Sequence, residues 1–339
     1  MVDAMGKITI NDLAEYTNIS KSTISRALRS PDSVSPEKLQ IINAAINTLG
    51  YIPNYYASNL RAMDNHNIGY IINDVQNPFF SNLIQSIETT LNQASYKLLI
   101  SFSKPDQNSI NEKVKEFMFF PISGLVFSPD ITNQEIKQRL LTQLKNQNIY
   151  PLQLFAKLYD DFDSIIVNDF HGTFLATERL IHSGHRNILL IGFDNLVFQE
   201  RIAGYKQAFQ DYNIPLNPNN ILLLDNREFM RDRIVTKILT AKPTAVISIS
   251  DIVGINTIKA LQQLEMQIPN DISLIHYDDS SWANLLGITT IGHPIEQLGK
   301  LTAETLIDGI QNAEKRSIKH QKIDPILFNR NSVKNIYPS

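Results

Sequence analysis

From Lys21 to Arg29 the chain reads Lys-Ser-Thr-Ile-Ser-Arg-Ala-Leu-Arg, with cations and hydroxyls and no acid. Cations neutralise backbone phosphates, while hydroxyl and guanidinium groups bond to base edges, so this run suits contact with a DNA duplex. Lys21, Ser22, Thr23, Ser25, Arg26 and Arg29 are the candidate contacts. Ile24, Ala27 and Leu28 alternate with them and share helical spacing with Leu13, Ala14 and Ile19 upstream, as a small core requires.

Such a run needs a rigid support. Ile8–Ala14 forms a first amphipathic segment, which Asn11 or Thr9 can cap, and Ser20 can cap the second. Between them stands Asn18, a residue type that tolerates the left-handed conformation of a tight turn. Ser35-Pro36-Glu37 starts a third helix running to Leu49, with a cap at Ser35 and proline in the first helical position. Two short helices joined by a turn and braced by a third predict a helix-turn-helix, whose second helix enters the major groove.

The remaining composition narrows the function. A chain of 339 residues, 43% hydrophobic, has room for two or three domains. With 0 cysteines, disulfides, thiolate zinc sites and cysteine nucleophiles are excluded. The net charge is −3, so DNA binding must rest on a local basic patch. No apolar run follows a basic start, and no stretch approaches the roughly 20 apolar residues of a membrane span. No signal peptide and a cytoplasmic location are therefore expected. Ile72-Asn73-Asp74-Val75-Gln76-Asn77 lacks the glycines of a dinucleotide-binding turn, and no Gly-x-Ser-x-Gly elbow occurs. His182 and His185 lack ligand partners at metal spacing. Neither an enzyme nor a cofactor is expected.

Beyond Asn67 apolar strands alternate with helices. Strands are predicted near residues 68–72, 97–102, 124–127, 150–155, 165–167, 187–191, 221–224, 245–249 and 272–276. Helices are predicted near 77–93, 114–120, 132–146, 172–182, 201–212, 231–240 and 254–264. This alternation implies parallel sheets with helices on both faces, and its restart near Ile165 suggests two similar lobes.

Several motifs carry a resemblance. Thr9-Ile10-Asn11-Asp12-Leu13-Ala14, Ser20–Leu28, Val34-Ser35-Pro36-Glu37 and Leu49-Gly50-Tyr51-Ile52-Pro53-Asn54, then Ala57 and Leu60, follow the order and spacing of one headpiece. Further matches are Asp74–Phe80, Gly184–Ile188, Arg201 with Gly204-Tyr205, Pro269–Leu274, Tyr277-Asp278-Asp279, and Thr289-Thr290-Ile291 with Pro294. Across nearly its whole length the chain resembles the lactose/galactose-repressor (LacI/GalR) family of bacterial transcription factors.

The resemblance implies a small all-α helix-turn-helix headpiece plus an α/β effector domain of two Rossmann-like lobes, similar to periplasmic binding proteins. The expected divisions are a headpiece at 1–53, a hinge helix and linker at 54–66, and the effector and dimerisation domain at 67–339. Crossings between lobes are expected near Asp163, Ile291 and Lys322, giving lobe 1 about 67–163 plus 292–322 and lobe 2 about 164–291 plus 323–339. The implied function is an effector-responsive repressor that binds a palindromic operator in double-stranded DNA as a homodimer. No leucine-heptad tail precedes Ser339, so a dimer is the simplest expectation.

The same resemblance adds Thr9, Ser20, Asn54, Ala57 and Leu60 to the DNA contacts, with Leu60 as a minor-groove wedge. It places the effector against Asp74, Phe79, Phe80, Arg201 and Asp278, with Ser128, Ser250 and Trp282 as further candidates. Asp278 can accept from vicinal hydroxyls, and the Arg201 guanidinium can fork onto hydroxyls or a carboxylate. Ala156-Lys157 stands after the fourth strand where the family commonly has Asp-Arg, so a carboxylate partner for hydroxyls is lost while Lys157 adds a cation. A neutral sugar leads by family habit. Lys157 raises the standing of a sugar acid or sugar phosphate, and a nucleobase is third. The alternative is a sugar-binding protein without regulatory DNA binding, against which the headpiece argues.

Overall fold

The computed structural model describes residues 8–29, 31–51, 65–72, 78–103, 107–118, 120–127, 142, 144, 146–157, 159–193, 196–224, 228–312 and 316–337. The hinge helix and the expectations placed on Asn54, Ala57, Leu60, Asp74 and Ser128 lie outside the described residues. The chain forms two compact units, Met1–Asn65 and His66–Ser339.

In the first unit α1 (Ile10–Thr17), α2 (Lys21–Arg29) and α3 (Pro36–Leu49) close around Leu13, Ile24, Ala27, Ile42, Ala45 and Tyr51. Thr9, and not Asn11, caps α1. Its amide donates to Asp12 Oδ2 at 2.7 Å and its Oγ1 accepts from the Asp12 amide at 3.4 Å, a reciprocal capping box. Asp12 can reach back because it lies in the third helical position, whereas Asn11 is exposed. Asn18 adopts φ 51°, the left-handed turn expected of it. Ser20 Oγ accepts from the Thr23 amide at 3.3 Å. Ser35 stands in the cap position of α3 but its side chain makes no cap bond, leaving Pro36 to start that helix.

The second unit holds β1 (Asn67–Ile72), β2 (Lys97–Phe102), β3 (Gly124–Phe127), β4 (Tyr150–Leu154), β5 (Asp163–Val167), β6 (Ile188–Phe193), β7 (Ile221–Leu224), β8 (Ala245–Ile249), β9 (Ser273–Tyr277), β10 (Thr289–Gly292), β11 (His320–Ile323) and β12 (Ile326–Phe328). Among the described residues they form two six-stranded sheets, ordered β11-β5-β4-β3-β1-β2 and β12-β10-β9-β8-β6-β7. Pairing is parallel except between β10 and β12. Strands such as Ala245–Ile249 are buried throughout, as burial on both sheet faces requires. Strand order reverses beside β1 in one sheet and beside β6 in the other. Crevices for ligands form beyond the strand carboxyl ends at such reversals.

Sheet membership moves one crossing. Asp163–Val167 does not leave the first lobe. It pairs with β4 through Leu152↔Asp163 and with β11 through His320↔Ser164. Asp163 is also anchored there by Arg316 at 2.5 Å and by the Tyr150 hydroxyl at 2.5 Å. The first passage between sheets therefore follows Val167. The other two follow Gly292 and Ile323, within two residues of Ile291 and Lys322. After Gly292 the chain enters a helix, Ile295–Asn312, that lies on helix Pro78–Gln93 of the first lobe. Among the described residues no helix is long and apolar enough to cross a membrane.

Candidate effector cleft and DNA-reading helix

On α2, Lys21, Ser22 and Arg26 are polar positions, with Lys21 and Ser22 exposed, while Ile24 and Ala27 face the core. Arg29 ends the helix. Among the described residues neither Lys21 nor Arg26 has an acidic partner, so both cations are available to phosphates. The Ser20, Ser22 and Thr23 hydroxyls cluster at the helix start, with Ser20 Oγ 3.0 Å from Ser22 Oγ and 2.8 Å from Thr23 Oγ1. The Thr9 hydroxyl is committed to Asp12 Oδ2 at 2.7 Å, so its first duty is to the helix cap.

In the second unit a cleft of about 550 Å³ opens between the lobes. Its described walls come from the carboxyl ends of β8, β9 and β10 in one lobe and from the start of helix Pro78–Gln93 in the other. Phe79, Asn82, Asp251, Asp278, Asp279 and His293 carry most of the chemistry.

Asp278 leaves β9 at φ 83°, a costly conformation for a non-glycine residue, and its amide donates to the Ile291 carbonyl at 2.8 Å. Its carboxylate lies 3.3 Å from His293 Nε2. Burial alone would raise the Asp278 pKa. The hydrogen bond from His293 and the nearby charge of Arg201 outweigh it and hold the carboxyl below its usual range. His293 stacks edge-on against Phe79 with centroids 4.9 Å apart and lies 5.4 Å from the Tyr277 ring. Asp251 Oδ1 accepts from Trp282 Nε1 at 2.7 Å and from His276 Nε2 at 3.2 Å. Asp279 Oδ1 accepts from Thr290 at 2.6 Å and from Arg330 at 2.8 Å. Asp251 Oδ2, His293 Nδ1, Ser250 Oγ and Ser280 Oγ are buried with no hydrogen-bond partner among the described residues. Buried polar atoms are seldom left so, and their concentration beside one cleft points to a polar ligand.

The expected site residues fall into three positions. Phe79 and Asp278 line the cleft. Phe80 supports Phe79 at 5.3 Å, Trp282 lies behind Asp251 with its ring 4.7 Å from His276, and Ser250 follows β8 at φ 87°. Arg201 is buried one side chain further in. Its Nε donates to Asp169 Oδ1 at 2.8 Å, and its guanidinium sits 3.7 Å from the Tyr277 ring centroid. Burial disfavours the charged form of Arg201, but Asp169, Tyr277 and Asp278 outweigh it and raise its pKa. Lys157 is outside the group, with 37% of its side chain exposed and its Nζ 2.7 Å from Asp160.

Sequence reasoning missed His293, Asn82 and Asp169, and passed over Asp251 in favour of Ser250 beside it. His293 had a signal: it precedes Pro294 at the end of the Thr289–Ile291 motif. Asp169 had none, because its partner is 32 residues away.

A helix-turn-helix followed by a two-lobed unit with a polar cleft defines a ligand-controlled transcriptional regulator, and the comparisons place it. Residues 9–54 match the description "Bacterial regulatory proteins, lacI family", and residues 177–333 match "Periplasmic binding protein-like domain". The chain is 30% identical to the ribose operon repressor of Escherichia coli (strain K12), over 96% of this chain and 99% of that one. It is 28% identical to the repressor PurR of Aliivibrio fischeri (strain ATCC 700601 / ES114), over 96% and 98%. A LacI family regulator from Enterococcus faecium with bound ribose superimposes with a TM-score of 0.70 at 25% identity, covering 80% of this chain and 100% of the other. The Lac repressor dimer bound to operator shares the fold, with a TM-score of 0.83 at 21% identity over 97% and 99%. The protein belongs to the lacI family of bacterial regulatory proteins. It is a transcriptional repressor under small-molecule control, and not an enzyme.

Proposed function

We propose that the protein represses transcription in the cytoplasm as an operator-bound homodimer, and that a neutral, hydroxyl-rich sugar in the cleft sets its DNA affinity. The charge of the cleft carries this reading. Asp251, Asp278, Asp279 and Glu296 are among its described lining residues, and no lysine or arginine is. Among the described residues a sugar acid or sugar phosphate would meet carboxylates with no unpaired cation, because Arg201 is paired with Asp169, Lys157 with Asp160 and Arg330 with Asp279. A sugar hydroxyl, in contrast, donates well to a carboxylate, and the Phe79 ring can cover an apolar sugar face. Relatives named for the ribose operon and a similar structure with bound ribose make D-ribose the first candidate. Exposed Phe229, Leu285 and Leu286 in the second lobe offer apolar surface for a second copy.

Thermal melting of the full chain tests the reading. D-ribose should raise the midpoint, since a ligand of the folded state stabilises it by mass action. Ribose 5-phosphate and adenine should do so less. A larger shift from the phosphate would contradict the neutral class.

A further inference from the structure

We propose that His293 sets effector specificity by presenting Nδ1 as a bare hydrogen-bond acceptor, to which the effector must bring a hydroxyl or N–H donor, and that this contact ties effector occupancy to both lobes. The proposal rests on reading the cleft as the effector site.

The tautomer follows from chemistry. The Asp278 carboxylate only accepts, and it lies 3.3 Å from His293 Nε2. A neutral imidazole satisfying that contact carries its hydrogen on Nε2 and leaves a lone pair on Nδ1. That Nδ1 is buried with no partner among the described residues, on a side chain only 5% exposed that lines the cleft. Nearby, Asp251 Oδ2 is a second buried acceptor without a partner among them. Both atoms call for donors. A sugar with several hydroxyls supplies them, whereas a group that only accepts, such as an ether oxygen, cannot.

The position of His293 supplies the coupling. It stands in the connection from Gly292, the last residue of β10, to the helix that begins at Ile295. That helix belongs with the first lobe through helix Pro78–Gln93. The ring itself touches Phe79 of the first lobe and Tyr277 and Asp278 of the second. A ligand hydrogen bond at Nδ1 would fix the ring against both walls at the passage between lobes. Differential contact of this kind is what lets a ligand favour one lobe arrangement over another.

The test is calorimetry on the full chain at neutral pH with D-ribose and its single deoxy and single O-methyl analogues. His293→Leu should weaken D-ribose binding about tenfold or more, because a hydrogen bond disappears from a desolvated site. His293→Gln, which restores an acceptor, should recover most of that affinity. The analogue lacking the hydroxyl that faces Nδ1 should bind His293→Leu as well as it binds the wild type. Wild-type D-ribose affinity in His293→Leu would overturn the role of His293 while leaving the sugar cleft standing. Failure of the wild type to bind every neutral analogue would overturn the cleft reading and this proposal with it. Nitrogen-15 correlation spectra of the wild-type histidine rings give a readout that needs no variant to fold. The Nε2–H form with an Nδ1 signal that moves on adding D-ribose is expected, and an Nδ1–H form overturns the proposal.

Discussion

Arg201 reaches Asp169 because two helices cross with almost no space between them. Its Nε is 2.8 Å from the carboxylate. Three residues on, a Cβ added to Gly204 would lie 2.0 Å from the Phe170 carbonyl. Asp169 opens its helix just after the chain leaves β5, so the pair anchors the second lobe at its first passage. Both side chains are nearly buried, at 11% and 7% exposure. Removing one partner of such a pair strands a charge, at a cost of about 3–5 kcal/mol. Asp169→Ala should lose that much in urea unfolding, and the double variant Asp169→Ala, Arg201→Met should lose clearly less. A single-variant loss under about 1 kcal/mol would show that the pair holds nothing.

The crossing itself can be probed separately. Gly204→Ala forces the helices apart against backbone, which does not yield as a flexible side chain would. Overpacking of this kind costs about 1–3 kcal/mol. Effector affinity should fall with stability, because Arg201, whose charge helps to hold the Asp278 carboxylate ionised, travels on the displaced helix. A variant that melts with the wild type would show that the crossing has slack.

Acid should weaken the second lobe through His185. This ring bonds to Thr244 Oγ1 at 2.9 Å and to the Lys334 carbonyl at 3.1 Å, tying the C-terminal segment to the lobe. Burial, with Arg179 and Arg186 nearby, lowers its pKa below the ordinary histidine value of 6.5 despite the Lys334 bond. The unfolded chain therefore binds the proton more readily. The contribution is complete above pH 6.5 and is lost as pH falls from there through the folded value. Urea midpoints should drop between neutrality and mild acid, and His185→Gln should flatten that dependence. An identical slope in the variant would remove His185 as the cause.

How far the sequence was legible depended on whether the signal was local. The headpiece helices, the Asn18 turn and most strands are written in caps, turns and apolar runs. Phe79 and Asp278 were legible as cleft residues because each follows a strand end within a recognisable motif. Helix starts were less so. Asp169, Leu196 and Asp251 begin helices three to five residues before the apolar period declares itself. Asp163–Val167 reads as the first strand of the second lobe because its apolar run says nothing of which sheet it joins. Lys157 reads as an effector contact because type and order are visible in sequence, while its partner Asp160 and its exposure are not.

On α2 the prediction is electrostatic. Arg26→Ala and Lys21→Ala should each weaken DNA binding. Each should also make log affinity less steep against log salt, by about 1 for every phosphate that the variant no longer neutralises. Sugar binding should be untouched, as the two units are separately compact. Gel-shift titrations at several salt concentrations measure both quantities. Unchanged affinity and slope would exclude that residue from the interface. Thr9→Ala should cost about 1 kcal/mol of headpiece stability through its cap, whatever it does to DNA affinity.

In the function proposed above, cleft occupancy controls DNA affinity within one molecule. Duplexes enriched from a random pool by the full-length protein supply a specific DNA ligand, whatever the operator sequence. Binding to the best of them is then measured by fluorescence anisotropy, with and without saturating D-ribose, for the wild type and for Asp278→Ala. D-ribose should shift the wild-type affinity by about 5-fold or more, as allosteric coupling commonly does, and should leave Asp278→Ala unmoved. Wild-type affinity that stays the same with the cleft saturated would contradict that control.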